Sequence, residues 1–312
     1  MARSLLFALL LALLLTSPAR AQERLTVLLE WFVNPDHAPL VVAQELGLFE
    51  TAGLEVELLP PADPSIVPRA VAAGQADVGI HYQPSLYLDH AAGLPLVRFG
   101  TLVETPLNTV TVLAEGSISG IADLAGRRVG FSVSGFEDVL LARMLEQAGV
   151  DPRSVEMINV NFALTSALIS GQVDATIGGF RNFELTQMRL AGREGRAFFP
   201  EENGIPVYDE LIFVTRPELL EDGRLLRFLE AVEAGALYLT NHPEESWELF
   251  IRAYPDLDDE LNRQAWLDTL PRFAKRPAAL DHRRYARFGA FMAQSGLIEQ
   301  TPKVEEIAVE LR

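Results

Sequence analysis

The chain has 312 residues and no cysteine. Disulfides and a thiolate nucleophile are therefore excluded. A chain this long can bury enough apolar surface to fold without cross-links. Histidine is scarce, at 5 residues, and no His-x-x-x-His or His-Glu-x-x-His spacing occurs. The usual helical zinc pattern is thus missing. No Gly-x-Ser-x-Gly elbow is present either. The nearest thing to a phosphate loop, Ser132-Val133-Ser134-Gly135-Phe136, has one glycine and no lysine. It precedes a helix, so Ser134 reads equally well as a helix cap or as a ligand contact. Positive charge is also short: 26 Lys and Arg stand against 43 Asp and Glu, for a net charge of −17. Such a surface repels nucleic acid and anionic lipid.

Long apolar runs are missing except at the start. Leu5 to Leu15 is uninterruptedly apolar, follows Arg3, and leads to Ala19-Arg20-Ala21. A bilayer span needs about 20 apolar residues, so this pattern reads as a cleavable secretory leader. Cleavage after Ala21 leaves Gln22 first, where a lipoprotein would need cysteine. A free periplasmic protein with no inserted segment is expected.

What is present is a regular alternation. Strand-like runs fall at 25–29, 54–59, 76–80, 109–113, 128–131, 156–160, 173–177 and 211–215. Helical runs lie between them, as at 64–73, 136–148 and 163–170. This pattern predicts an α/β fold with mostly parallel sheets. Beyond residue 217 the chain reads as nearly all helix, with apolar faces in 224–240, 244–253 and 283–295.

The alternation also repeats. Ala70, Gly74, Gln75, Asp77 and Ile80 recur as Ala167, Gly171, Gln172, Asp174 and Ile177, all at one offset. Each copy reads as a helix end, a glycine cap and a buried strand. Two related lobes with a cleft between them are expected. The reading divides the chain into a leader at 1–21, a first lobe at 22–115, a second lobe at 116–206, and a mostly helical completion of the first lobe at 207–312. Crossings near 114–117 and 205–210 would form the hinge.

Candidate site residues follow the strands. Trp31, Asn34 and His37 crowd the turn after the first strand, where α/β folds bind ligands. Trp31 offers a flat face, and the amide and imidazole offer hydrogen bonds. Tyr82 and Gln83 follow the first repeat, and Phe180, Asn182 and Glu184 follow the second. Tyr82 and Phe136 fit a core or a cleft equally well. His37 fits a backbone cap as well as a ligand contact. Glu184 reads as a cleft carboxylate or a surface one. Asp209 and Glu210 fall in the expected hinge and fit a backbone-holding role as well as ligand contact.

Several ordered motifs sharpen this picture. They are Trp31 to Pro39, Ala62-Asp63-Pro64, Tyr82-Gln83-Pro84, Gly130 to Glu137, Asn159 to Phe162, Phe180 to Glu184 and Tyr208 to Ile212. Together they resemble the ThiY-like branch of the thiamine-pyrimidine binding family. The resemblance implies a type II periplasmic binding protein that delivers a formylated aminomethyl-pyrimidine to the permease of an ABC importer. It implies a monomer with no catalytic residue, metal or cofactor. Its implied ligand residues are Trp31, Asn34, His37, Tyr82, Gln83, Phe136, Glu137, Asn182, Glu184, Tyr208 and Glu210. The same superfamily holds fungal pyrimidine-forming enzymes that consume pyridoxal phosphate and a histidine. Those carry a Cys-rich motif, which this chain lacks. Binding of another aromatic or sulfonate metabolite, such as riboflavin or taurine, is the alternative within the binding class.

Overall fold

The structure, a computed structural model, describes residues 22–312. The expected leader lies outside the described residues. Among the described residues, ten strands form two sheets. They are β1 (Glu23–Leu28), β2 (Leu54–Leu59), β3 (Val78–His81), β4 (Val97–Val103), β5 (Asn108–Leu113), β6 (Arg128–Phe131), β7 (Glu156–Asn159), β8 (Ala175–Phe180), β9 (Gly195–Phe198) and β10 (Leu211–Thr215). The first sheet has the order β2-β1-β3-β10-β4 and the second β7-β6-β8-β5-β9.

The helices are α1 (Ala38–Glu45), α2 (Leu48–Thr51), α3 (Val67–Ala72), α4 (Gln83–Ala91), α5 (Glu137–Gln147), α6 (Leu164–Ile169) and α7 (Glu184–Leu190). After β10 come α8 (Gly223–Asn241), α9 (Pro243–Ala253), α10 (Glu260–Thr269), α11 (His282–Gln294) and α12 (Val304–Ile307). Among the described residues, no helix is long and apolar enough to cross a membrane.

The two sheets are variations on one plan. In each, three parallel strands lie side by side, β2-β1-β3 and β7-β6-β8. In each, an antiparallel strand is added beside the third, β10 next to β3 and β5 next to β8. The sequence repeat has one physical job in both. Asp77 Oδ2 accepts from the Thr26 N–H at 3.0 Å, and Asp174 Oδ2 accepts from the Arg128 N–H at 2.9 Å. Each aspartate thus satisfies a donor at the neighbouring central strand. Gly74 and Gly171 turn the chain out of the preceding helices with φ of +76° and +75°.

The crossings differ from expectation. The sequence pattern places β5 at the end of the first lobe, but it pairs with β8 and β9 in the second sheet. The chain therefore crosses between Val103 and Asn108, ahead of the expected 114–117 segment. Pairing decides lobe membership, and an isolated apolar run carries no record of its partner. The return runs between Phe198 and Leu211. Glu210 ties the two crossings together, because its Oε2 accepts from the N–H groups of Leu107 at 2.5 Å and Asn108 at 2.9 Å. Arg181 adds a two-toothed pair with Glu201 at 2.7 and 3.0 Å and lies over the Phe199 ring at 4.2 Å.

The C-terminal segment is held by a buried arginine. Arg98, on β4, is fully buried and donates to the carbonyls of Pro277 at 3.2 Å, Ala278 at 3.3 Å and Val309 at 3.1 Å. Among the described residues, no carboxylate pairs with it. Its charge is spread over peptide dipoles, which suits the fork of a guanidinium.

Candidate functional site

The connections at the carboxyl ends of parallel strands converge between the sheets. They enclose a cavity of about 40 Å³. That is room for a few water molecules and well short of a typical small-molecule site of roughly 300–1,000 Å³, so a ring-sized ligand needs the lobes to part. The turn after β1 supplies Glu30, Trp31, Asn34 and Asp36. Tyr82 follows β3, and Glu137 begins α5. The segment from β8 into α7 supplies Gly178, Phe180, Phe183 and Glu184, and α6 adds Leu164.

Local chemistry shapes the first turn. Asn34 caps it by accepting from the Asp36 N–H at 2.8 Å, and Pro35 fixes the following backbone angle. The Asn34 N–H donates to His37 Nδ1 at 3.2 Å. That leaves Nε2–H to donate to both Glu30 oxygens, at 3.0 and 3.1 Å. His37 is fully buried and points away from the cavity, while Glu30 faces into it.

The aromatic walls come from both lobes. Trp31 meets Phe162 edge to face with ring centroids 4.5 Å apart. Phe162 follows Asn161, whose φ of 50° turns the loop after β7 back toward the cleft. Tyr82 stacks on Phe136 at 5.2 Å and 20° between planes. These pairs cross the cleft, so the lobes are closed around the cavity.

The polar lining is acidic. Glu30, Asp36, Glu137 and Glu184 all face the cavity, and among the described residues neither Lys nor Arg lines it. Burial pushes the Glu137 carboxyl up to about 8, against the pull of N–H bonds from Ser132 at 2.7 Å and Val133 at 3.1 Å. Burial likewise pushes Glu184 up to about 8, although its Oε2 accepts from the Phe180 N–H at 2.5 Å. Asp36 is raised to about 6, again by burial, while His37 beside it opposes the rise. Around neutral pH, Glu137 and Glu184 are therefore largely carboxylic acids that donate as well as accept.

Two glycines make room for these carboxyls. Gly178 has φ +103°, and a Cβ there would overlap the Glu137 carboxyl. A Cβ on Gly179 would stand 3.0 Å from Glu184 Cγ. The pair Gly178-Gly179 lets the backbone of β8 lie against both acids.

Of the eleven expected ligand residues, Trp31, Asn34, Tyr82, Glu137 and Glu184 line the cavity. The other six do not. His37 is turned to Glu30, as above. Gln83 is buried with its amide oxygen accepting from the Asp209 N–H at 2.7 Å. Phe136 stands behind Tyr82 and lines a separate apolar pocket. Asn182 donates to Asp36 at 2.7 Å and to Thr269 at 2.6 Å. Tyr208 is buried against Phe288, with centroids 5.6 Å apart. Glu210 holds the crossing backbone, the backbone-holding alternative for that position. Sequence reasoning missed Glu30, Asp36, Leu164, Gly178 and Phe183 as cavity residues. Their signal was position alone, since all five sit in or beside segments already marked by neighbouring aromatics and amides. Among the described residues, no group of three or more His, Cys, Asp or Glu is arranged to hold a metal ion.

The sequence pattern of the family described as "NMT1/THI5 like" matches residues 34–246. This chain belongs to that family. A relative from Haemophilus influenzae, named for thiamine biosynthesis, is 48% identical over 98% of both chains. A formylaminopyrimidine-binding protein of Halalkalibacterium halodurans is 33% identical over 75% of this chain and 72% of that one. A Legionella pneumophila protein named 4-amino-5-hydroxymethyl-2-methylpyrimidine phosphate synthase is 29% identical over 89% of both. The alkanesulfonate-binding protein SsuA from Xanthomonas axonopodis pv. citri superposes with a TM-score of 0.71 at 17% identity, covering 92% of this chain and 98% of that one. The NMT1/THI5-like chain described here thus has the type II periplasmic binding fold, two α/β lobes with a cleft between them.

Proposed function

We propose that this protein is a periplasmic solute-binding protein that captures a thiamine-related aminopyrimidine and hands it to an ABC importer for thiamine salvage. The observation that carries this reading is the cavity lining: aromatic faces combined with four carboxyls and no cation. A flat ring stacks on Trp31 or Tyr82. An exocyclic amino group donates to a carboxylate, and ring nitrogens accept from the carboxylic acids of Glu137 and Glu184. A buried polar group left unmatched costs about 1–3 kcal/mol, enough to separate one heterocycle from a close analogue.

The same lining disfavours the alternatives. A sulfonate such as taurine would meet carboxyls and no positive partner. The loop at Ser132 and Val133 offers no free N–H pair to a phosphate, because Glu137 already accepts from both. The pyrimidine-forming reading rests on the names of relatives such as the Legionella protein. Against it, the chain has only Lys275 and Lys303, both exposed and neither in the cavity. Neither is placed to hold pyridoxal phosphate as a Schiff base.

Calorimetric titration and thermal shift test the proposal. Formylaminopyrimidine at 100 times its dissociation constant should stabilise the fold by about 2.7 kcal/mol. A shift with taurine or riboflavin and none with the pyrimidine would refute the ligand assignment. Pyrimidine product formed on incubation with pyridoxal phosphate and iron would refute the transport reading.

A further inference from the structure

We propose that Asp36, Asn182 and Thr269 form a clasp that sets how far the two lobes stay closed, so that Asn182 positions Asp36 across the cleft. The inference rests on the two-lobed binding reading and adds to it how closure is held.

The three residues come from three different elements. Asp36 follows β1 of the first sheet, Asn182 follows β8 of the second, and Thr269 ends α10. All three are buried. The Asn182 amide nitrogen has two hydrogens. One goes to Asp36 Oδ1 at 2.7 Å and the other to Thr269 Oγ1 at 2.6 Å. Thr269 Oγ1 lies 2.9 Å from the same Asp36 oxygen. Asp36 also lines the cavity. One carboxyl therefore belongs both to the ligand space and to the contact between lobes. The helix α10 crosses the same boundary a second time, through Glu260 and Arg189 of α7 at 3.1 Å.

Replacing the amide makes the consequence readable. With Asn182→Leu, Asp36 and Thr269 lose the amide donor that reaches them across the cleft and keep only the bonds of the Thr269 hydroxyl, to Asp36 Oδ1 or to the Ala265 carbonyl, whereas in the open form water replaces the lost amide. The closed-to-open ratio should fall roughly tenfold or more. Apparent affinity should fall with it, because the binding-competent population shrinks.

The absence of cysteine allows a clean test. Leu190 on α7 and Leu237 on α8 are 43% and 42% exposed and lie on opposite lobes. Spin labels on Leu190→Cys and Leu237→Cys report the lobe separation by double electron–electron resonance, with and without formylaminopyrimidine. Asn182→Leu and Thr269→Val should lengthen the mean distance without ligand or raise the ligand concentration needed to close, while Thr269→Ser should behave as wild type. Melting temperatures of all variants identify any that fail to fold, and the Thr269 pair keeps the comparison if Asn182→Leu does. Unchanged distances and unchanged affinity in Asn182→Leu and Thr269→Val would overturn the clasp. So would Thr269→Ser acting like Thr269→Val. If wild type binds no pyrimidine, the ligand assignment fails, while the ligand-free distances still decide the clasp.

Discussion

Glu137→Gln should make the empty protein more stable at neutral pH and flatten its pH dependence. Glu137 is buried, and its carboxyl is raised from 4.5 to about 8. A carboxyl whose folded value lies above its unfolded value holds its proton more tightly in the native state. Folded stability then falls as pH rises through the window between the two values, here about 4.5 to 8. The linkage integral across that window up to pH 7 is about 3 kcal/mol for this one group. Glutamine keeps the size, keeps an oxygen to accept from the Ser132 and Val133 N–H groups, and presents an amide where the acid presents its proton. It has no proton to lose. Urea denaturation of the ligand-free protein at pH 5, 6, 7 and 8 measures the effect. Wild type should lose stability over this range from Glu137, Glu184, Glu210 and Asp36 together. The variant should lose about 3 kcal/mol less between pH 5 and 8. Parallel curves for the two proteins would refute the assignment of a buried neutral acid at this position.

Trp31→Ala should weaken pyrimidine binding by about 2 kcal/mol or more while leaving the melting temperature near wild type, since Trp31 packs mainly on Phe162 at the cleft; unchanged affinity by calorimetry would remove Trp31 from the stacking wall. Gly178→Ala should cost about 1–3 kcal/mol of stability and a larger share of affinity, because a Cβ at φ +103° strains the backbone and drives Glu137 from its place; calorimetry together with denaturation separates the two effects. Arg98→Met should destabilise by about 3 kcal/mol or more, since the carbonyls of Pro277, Ala278 and Val309 lose their shared donor; denaturation and limited proteolysis of the C-terminal segment measure it.

The parallel strands of both sheets were legible because their apolar residues fall in short runs bounded by turns. The repeat was legible for a physical reason, since Asp77 and Asp174 each satisfy a backbone donor at the neighbouring strand. β4 and β9 were not. β4 carries Arg98 and Gly100, and β9 carries Gly195 and Arg196, so both break the apolar pattern. The arginine in β4 is a core residue whose partners lie about 180 or more positions away, a distance no local window sees. α10 escaped notice because its buried Asn262, Ala265, Trp266 and Thr269 are diluted by exposed polar residues.

The turn after β1 shows why a composition can mark a site without naming its residues. The composition of Trp31 to His37 points to a ligand-facing cluster, with His37 open to a capping role as well. A one-turn segment capped at Asn34 and fixed by Pro35 has two sides, however, and only one can face the cleft. Asp36 takes that side and His37 the other. The choice is made by the hydrogen bond from the Asn34 N–H to His37 Nδ1, which turns the imidazole toward Glu30. His37 then acts on the cavity through Glu30, which it orients from behind. The polar density of the segment thus reflects two layers, one that meets a ligand and one that holds the first in place. Seen alone, the sequence superimposes them. The second lobe repeats this arrangement: Asn182 is turned to Asp36 and Thr269, while Glu184, two residues on, faces the cavity.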